Sequence, residues 1–137
     1  MFSRTERIRF QHCDPAGIVF YPRYIEMINA TVEDWFDCIG ISFSEIHGSL
    51  NTAIAAVALS IDFRAPSRLG EMIVFTLDVE RLGTTSLGLR IEALHADELR
   101  FSSSLTLVHT SKEDCRPRPW PAAFRSAIGP NGGSTGP

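Results

Sequence analysis

A short segment near the N-terminus holds the residue types best suited to chemistry in this chain. One carboxylate, Asp14, lies in a turn with Pro15 and Gly17, two residues that favour a tight change of direction. A long helix is predicted to begin at Pro22, and the first N–H groups of a helix have no partner within the helix. Those groups favour a bound anion or a developing oxyanion. On these residues alone, Asp14 could act as a nucleophile or general base beside an oxyanion site.

Each reactive residue of this segment also has a structural interpretation. Asp14 can serve as an Asx-turn or helix-capping residue. His12 is expected at a strand end, bonded to water or to the backbone. Cys13 is expected to be a buried, unreactive thiol that faces away from Asp14, because successive strand residues point to opposite faces. These residues are too close together for a metal site, and Cys13, Cys38 and Cys115 lack ligand spacing, so no metal is expected.

The elements that must position Asp14 begin with a short strand and a long amphipathic helix. Residues 4–10 alternate as a strand does, and residues 22–39 repeat with a helical period. Pro22 suits the first helical turn, and Gly40 suits the end of the helix. We expect one half of the helix to pack against a sheet, because it carries the apolar residues Tyr24, Ile25, Met27, Ile28, Val32, Trp35, Phe36 and Ile39.

The rest of the chain reads as strands. Residues 41–51 predict a loop with a short helical turn at 43–47. Turns at Gly83 and Asp97 indicate hairpins, so the sheet is antiparallel there. One helix facing one antiparallel sheet is an α+β fold. The four strand-like runs are 52–63, 71–80, 84–94 and 99–108.

The bulk composition limits the classes of protein to consider. A chain of 137 residues is about one domain, and a net charge of −3 gives no basic excess for binding nucleic acid. No apolar run reaches the ~20 residues that a membrane span needs. The charged N-terminus and the lack of paired cysteines favour a reduced, cytoplasmic protein. We expect a single domain over residues 1–115, with a Pro/Gly-rich and largely disordered tail over 116–137.

Three motifs together are similar to a known family. Residues 14–24 read Asp-Pro-Ala-Gly-Ile-Val-Phe-Tyr-Pro-Arg-Tyr and closely resemble the signature of the 4-hydroxybenzoyl-CoA thioesterase family of hotdog-fold proteins. Residues 61–66, followed by Gly70 and Glu71, and residues 81–86, which end in Ser, resemble two further features of that family. The resemblance covers roughly residues 4–112.

The resemblance implies a fold, an activity and an assembly. It implies a hotdog fold, in which an antiparallel sheet of about five strands wraps one long central helix. It also implies hydrolysis of an acyl- or aroyl-CoA thioester without cofactor or metal. The smallest active unit would be a homodimer, often paired into a homotetramer, with sites at the subunit interface. Asp14 stands at the position of the catalytic carboxylate, and Tyr21 at the position whose backbone N–H polarises the carbonyl.

The substrate-binding positions are less uniform. Gly17 belongs to the signature turn, and Thr52 matches a polar position that lines the acyl pocket, although it can equally end the preceding loop. Some family members bind the nucleotide phosphates with a basic run before the family Ser. This chain carries Gly83, Thr84 and Thr85 there, followed by Ser86. Backbone N–H groups of that turn, with Arg64, Arg68 or Lys112, are candidate phosphate donors, and each of those side chains can equally be a solvated surface charge.

Three functions compete at this point. An acyl-CoA thioesterase would use Asp14 as nucleophile or base. A hydratase or dehydratase of the same fold would need an Asp and His pair, which is not evident. A non-catalytic acyl-CoA-binding module would have no need of a carboxylate in the full Asp-Pro-x-Gly turn. Glu26 and Glu33 lie on the polar half of the helix and are expected to be solvated or interfacial.

Overall fold

The computed structural model describes residues 1–128 and the backbone of 134–135. A short 3-10 helix, Phe10–His12, follows the first strand. The elements in chain order are β1 (Phe2–Arg7), α1 (Pro22–Cys38), α2 (Phe43–His47), β2 (Thr52–Phe63), β3 (Met72–Leu82), β4 (Ser86–His95), β5 (Glu98–Ser111), α3 (Ala122–Ile128) and β6 (Ser134–Thr135).

Five strands form one antiparallel sheet in the order β1-β3-β4-β5-β2, and β6 runs parallel to β3. Both predicted hairpins are confirmed. The β4–β5 turn places Ala96 and Asp97 at φ 47° and 67°, as a two-residue type I′ turn requires. The predicted α+β class is therefore confirmed, and β2 lies at an edge of the sheet.

Helix α1 packs its apolar face on the sheet, as its sequence period predicts. The sheet alternates to match: Ile73, Phe75 and Leu77 of β3 are buried, whereas Met72 and Val74 are exposed. The helix ends in a Schellman arrangement, in which Gly40 takes φ 89° and the Ile41 N–H donates to Phe36 O at 3.1 Å. The residues of α1 that are buried are Tyr24, Met27, Ile28, Thr31, Val32, Trp35 and Phe36.

The first strand lies nearer the N-terminus than its sequence pattern predicts, because it spans Phe2–Arg7 and not residues 4–10. The Nδ1 atom of His12 accepts the Arg9 N–H at 2.8 Å, and this bond turns the chain into the 3-10 helix. The turn carries the chain away from the sheet edge and toward Asp14.

The C-terminal segment differs from the disorder expected after residue 115. Trp120, Phe124 and Ile128 are buried, and Trp120 stacks on Phe124 with ring centroids 4.3 Å apart. Phe124 in turn stacks on Phe36 of α1 at 5.4 Å. Three apolar side chains at this spacing bury enough surface to fix residues that Pro and Gly content alone marks as a tail. The remainder of the expected disorder, residues 129–133 and 136–137, lies outside the described residues.

Within residues 1–128, no helix combines the length and apolarity needed to cross a lipid bilayer.

Candidate active site

The Asp14 turn is closed by backbone hydrogen bonds and leaves one carboxylate oxygen unbonded. The Asp14 N–H donates to Ile18 O and the Gly17 N–H donates to Asp14 O, both at 2.9 Å. Gly17 takes φ 78°, which favours glycine. Asp14 Oδ1 accepts the Ala16 N–H at 2.9 Å, so the Asx-turn is present. Oδ2 makes no hydrogen bond within residues 1–128, and the turn therefore orients the carboxylate without consuming it.

The surrounding loop, residues 13–20, is fixed at both ends. The Phe20 N–H donates to His12 O at 2.9 Å. The Val19 N–H donates to Ser67 O at 2.9 Å, and Gly17 O accepts the Leu69 N–H at 3.2 Å. We call residues 13–20 the Asp14 loop; its backbone is held by a neighbouring segment, residues 64–71, which precedes β3.

The first turn of α1 leaves one N–H donor without a partner. Pro22 has no N–H, and the N–H groups of Arg23 and Tyr24 donate to Phe20 O at 2.8 Å and Tyr21 O at 3.1 Å. Among residues 1–128 the Tyr21 N–H has no acceptor. No acidic residue lies in the first turn of α1 to offset its positive end. The Tyr21 N–H is thus a donor available to an oxyanion at the start of α1.

Asp14 and Tyr21 line neighbouring openings of the single chain. Asp14 lines one with Phe20 and Arg23, and Tyr21 lines another with Phe63 and Arg64. The Phe20 and Tyr21 rings meet edge to face, with centroids 5.7 Å apart. Both openings face solvent, and the rings that line them are correspondingly exposed, Phe20 by 50% and Tyr21 by 63%.

A small apolar cavity lies between α1, β2 and β5. Its volume is about 150 Å³, and Asn29 is the one polar residue among those that line it. Ile25 was expected to pack on the sheet, but it is 43% exposed and lines this cavity from the helix side. The other lining residues are Ile28, Val32, Phe43, Ile54, Ala56, Leu59, Leu105 and Leu107.

The turn at Gly83–Ser86, a candidate phosphate site, is held by β5 and by the segment that follows β5. The carbonyl oxygens of Gly83 and Thr84 accept from Arg125 Nη1 at 2.8 Å and the Trp120 N–H at 3.0 Å. Thr85 O accepts a backbone N–H from β5, and Ser86 O accepts the Trp120 indole N–H at 3.0 Å. Each carbonyl is therefore bonded. The N–H groups of Thr84 and Thr85 have no acceptor within residues 1–128, so they remain open to an anion.

Thr52 begins β2, and its hydroxyl donates to Ile46 O at 3.0 Å. It does not line the apolar cavity. Of the two roles considered for Thr52, this geometry favours the one in which it ends the preceding loop.

The other ionisable residues near Asp14 make structural contacts. His12 is 7% exposed, and its Nε2 lies 3.6 Å from a carboxylate oxygen of Glu6. Glu26 pairs with Arg23 at 3.0 Å, and Glu33 accepts from the Asn29 amide at 2.7 Å. No group of three His, Cys, Asp or Glu side chains within residues 1–128 is arranged to hold a metal ion.

The sequence analysis did not single out the strongest electrostatic feature beside this site. Arg100 of β5 is 6% exposed and forms a two-pronged ion pair with Glu71. The hydrogen bond from Arg100 is the main cause that lowers the pKa of Glu71 to about 2. The sequence pattern gives no signal for this pair, because Arg100 falls on the polar side of the alternation in β5 together with Ser102 and Ser104.

Comparison with known proteins identifies relatives of this chain. The sequence profile of the thioesterase superfamily matches residues 16–101. A 1,4-dihydroxy-2-naphthoyl-CoA hydrolase of Acaryochloris marina is 27% identical over 111 residues, which cover 80% of this chain and 79% of the relative.

Solved structures share the fold. A 1,4-dihydroxy-2-naphthoyl-CoA thioesterase from Synechocystis superposes with a TM-score of 0.86 at 22% identity, covering 93% of this chain and 94% of the other. A gentisyl-coenzyme A thioesterase gives 0.84 at 21% identity, with coverage of 93% and 99%. The expected hotdog arrangement is thereby confirmed.

Proposed function

The chain belongs to the thioesterase superfamily, and from this premise we propose that it hydrolyses an aroyl-CoA or short acyl-CoA thioester with Asp14 as the reacting carboxylate. The relatives that support this proposal are hydrolases of hydroxylated aroyl-CoA thioesters. The observation that carries it is the pairing of an oriented carboxylate with an unpaired N–H at the start of a helix. Asp14 supplies the first and Tyr21 the second.

The chemistry needs few groups, because a thioester is already activated and its thiolate leaves readily. In one route Asp14 Oδ2 attacks the carbonyl carbon, and the oxyanion is stabilised by the Tyr21 N–H. The C–S bond then breaks, the thiolate departs, and water hydrolyses the mixed anhydride to restore the carboxylate. In the other route Asp14 takes a proton from the water that attacks the same carbon. Label from heavy-oxygen water appears in Asp14 during a single turnover only in the first route.

The direct test is Asp14→Asn, which keeps the size and the bond from Ala16 but removes the nucleophilic, basic oxygen. We expect the release of free thiol to fall by at least ~10²-fold in a protein with an unchanged melting temperature. Asp37→Asn is the matched control, because Asp37 is an exposed carboxylate on the polar side of α1. Retention of more than a few per cent of activity by Asp14→Asn would exclude Asp14 from this role.

The acyl group is proposed to enter the apolar cavity beside α1. The cavity is bounded by Ile25, Ala56 and Leu59, with the Asn29 amide as its polar element. A flat aromatic ring matches the apolar side chains of that lining, and one polar substituent on the ring could bond to the Asn29 amide. A thiol-release panel of benzoyl, hydroxybenzoyl, phenylacetyl and short aliphatic CoA thioesters tests this. A hydroxylated aroyl thioester is expected to give the highest kcat/KM.

The active unit is proposed to be a homodimer formed through β2, with a homotetramer as the larger assembly. Strand β2 lies at a sheet edge over 12 residues and exposes Val57 by 59%, Leu59 by 38% and Phe63 by 48%. An edge of this length with apolar side chains favours pairing with another strand. Light scattering on the purified chain, with Val57→Lys as a disrupting variant, distinguishes a monomer, a dimer and a tetramer.

Saturable binding of every thioester in the panel without release of thiol would instead identify an acyl-CoA-binding module.

A further inference from the structure

Arg100 is a buried cation whose hydrogen bonds converge on one short segment. Its Nη1 donates to Glu71 Oε1 at 2.7 Å and to Pro66 O at 2.8 Å, and its Nη2 donates to Glu71 Oε2 at 3.0 Å. The Glu98 carboxylate forms an ion pair with Nε at 2.6 Å, but the Nε–H makes no hydrogen bond within residues 1–128, so the bonds of Arg100 are those of Nη1 and Nη2. A planar guanidinium is the side chain that can make these bonds in one fixed geometry.

The partners of this pair span the segment before β3, residues 64–71, which we call the clamp segment. At its start, the backbone N–H groups of Arg64 and Ala65 donate to Arg100 O at 2.9 and 3.2 Å. At its end, Glu71 Oε1 also accepts the Arg68 N–H at 2.6 Å. The clamp segment is thus fixed at its beginning, middle and end by Arg100 and Glu71.

The clamp segment in turn holds both reactive groups of the proposed site. The backbone carbonyl of Ser67 accepts the Val19 N–H at 2.9 Å, and the backbone N–H of Leu69 donates to Gly17 O at 3.2 Å. These bonds hold the loop that carries Asp14. Its Ser67 N–H also donates to the Tyr24 hydroxyl at 3.1 Å, which ties the first turn of α1 to the same segment.

We propose that Arg100 and Glu71 are positioning residues for thioester hydrolysis, because they fix the clamp segment that sets Asp14 and the Tyr21 N–H relative to one another. This inference rests on the proposed function. The ion pair does not contact the substrate. It affects the rate of hydrolysis by fixing the backbone of the clamp segment, which in turn fixes the Asp14 loop.

A purely structural role predicts a different outcome. A buried ion pair is a poor way to gain stability, because well-packed apolar residues often serve as well. A two-pronged pair does define position, and a misplacement of about 1 Å at a reacting group can slow catalysis by roughly 10²-fold. The positioning role therefore predicts a loss of kcat that exceeds any loss of folded protein.

The test is Arg100→Lys, which keeps the positive charge but cannot reproduce the fork. We expect kcat for acyl-CoA hydrolysis to fall by roughly 10- to 100-fold, with KM changed by less than about threefold, in a protein that remains folded at the assay temperature. Glu71→Gln keeps an acceptor for the Arg68 N–H and is expected to act in the same direction. The double variant is expected to be no slower than the slower single variant, because both changes break one unit.

Two matched controls separate geometry from stability. Arg90→Lys makes the same chemical change in an exposed pair, Arg90–Glu80 at 2.8 Å, that has no bond to the clamp segment. Ile91→Val removes one methylene from a fully buried core position in β4. Both controls are expected to keep the wild-type kcat, and the second does so at a lowered melting temperature.

Each outcome decides the question. A wild-type kcat in Arg100→Lys, or an equal loss of kcat in Ile91→Val at equal stability, overturns the inference. Loss of folding in both Arg100→Lys and Glu71→Gln overturns it as well, because the pair would then be required for the fold. If Asp14→Asn stays active, the proposed function fails. If Asp14→Asn is inactive while Arg100→Lys keeps its kcat, only the positioning role fails.

Discussion

The Asp14 loop and the Gly83–Ser86 turn are both held by segments distant in sequence, but they differ in which groups remain free. In the Asp14 loop, backbone bonds from Ser67 and Leu69 fix the chain while Asp14 Oδ2 and the Tyr21 N–H stay unbonded within residues 1–128. In the turn, all four backbone carbonyls are bonded, whereas the N–H groups of Thr84 and Thr85 have no acceptor within residues 1–128. The first arrangement leaves a carboxylate oxygen and a backbone donor without partners among the described residues, and these are the two groups that the proposed function uses. The second offers backbone N–H donors, which suit an anion.

The largest expected difference between these regions is in stability. Trp120→Ala removes a buried ring that stacks on Phe124 and His109 and bonds to the turn, and should lower the unfolding free energy by about 3–5 kcal/mol. Phe20→Ala in the Asp14 loop removes a half-exposed ring and should cost less than about 1 kcal/mol. Urea titrations of both variants measure the difference. Equal losses would mean that the two regions are supported in the same way.

Acid should affect the support of the Asp14 loop selectively. The pKa of Glu71 is lowered to about 2 from an ordinary value of 4.5, chiefly by its hydrogen bond from Arg100. A carboxyl with a lowered folded-state pKa stabilises the fold above its unfolded-state pKa, and this contribution is lost as pH falls from 4.5 toward 2. We expect a loss of about 1–2 kcal/mol after allowance for solvent screening. Urea unfolding across that range should show it, and Glu71→Gln should abolish this part of the pH dependence.

A backbone substitution tests whether the Asp14 turn needs its glycine. Gly17 takes φ 78°, and no atom lies within 4 Å of the position where a Cβ would be. Gly17→Ala should therefore cost only the strain of a left-handed residue, about 1–2 kcal/mol. Gly88→Ala in β4 is the control, since its Cβ would meet Arg81 at an ordinary 3.6 Å. A thermal melt in which Gly17→Ala matches Gly88→Ala would show that the turn relaxes without a penalty.

The smallest expected effect belongs to a single hydrogen bond at the turn. Trp120→Phe keeps an aromatic ring between His109 and Phe124 but loses the indole N–H that donates to Ser86 O. The change should cost about 1 kcal/mol in urea unfolding. A loss of stability as large as that of Trp120→Ala would show that the indole hydrogen bond, and not the stacking of the rings, holds the C-terminal segment against the turn.

Local pattern was sufficient for most of the elements. The 3.6-residue period and Pro22 predicted α1, which begins there and ends within one residue of the expected position. The strand-like composition of residues 52–63 predicted β2 over its observed bounds, and the turns at Gly83 and Asp97 placed both hairpins. These features are local, because each depends on residues a few positions apart.

The failures of sequence reasoning share a cause. The order of residues 116–128 depends on Trp120 meeting His109 and Phe124, and on Phe124 meeting Phe36 of α1. The early end of the first strand depends on a side chain, His12, that takes a backbone N–H. Exposure of Ile25 depends on how far β2 lies from α1 at the apolar cavity. None of these contacts leaves a periodic signal.

The sequence by itself determined the class of fold, and it predicted Asp14 as the centre of the proposed site, because the Asp-Pro-x-Gly turn and the helix that follows are close together in the chain. The tertiary structure alone decided which groups are free to react. It bonds the N–H groups of Arg23 and Tyr24 and gives the Tyr21 N–H no acceptor among residues 1–128. It also pairs Arg100 with Glu71, 29 positions away in the chain, next to the segment that holds the Asp14 loop. The physical reason is that a donor or acceptor is no longer free once the fold brings a partner within hydrogen-bond distance. Those partners come from segments that are distant in the sequence, so the local sequence pattern does not specify them.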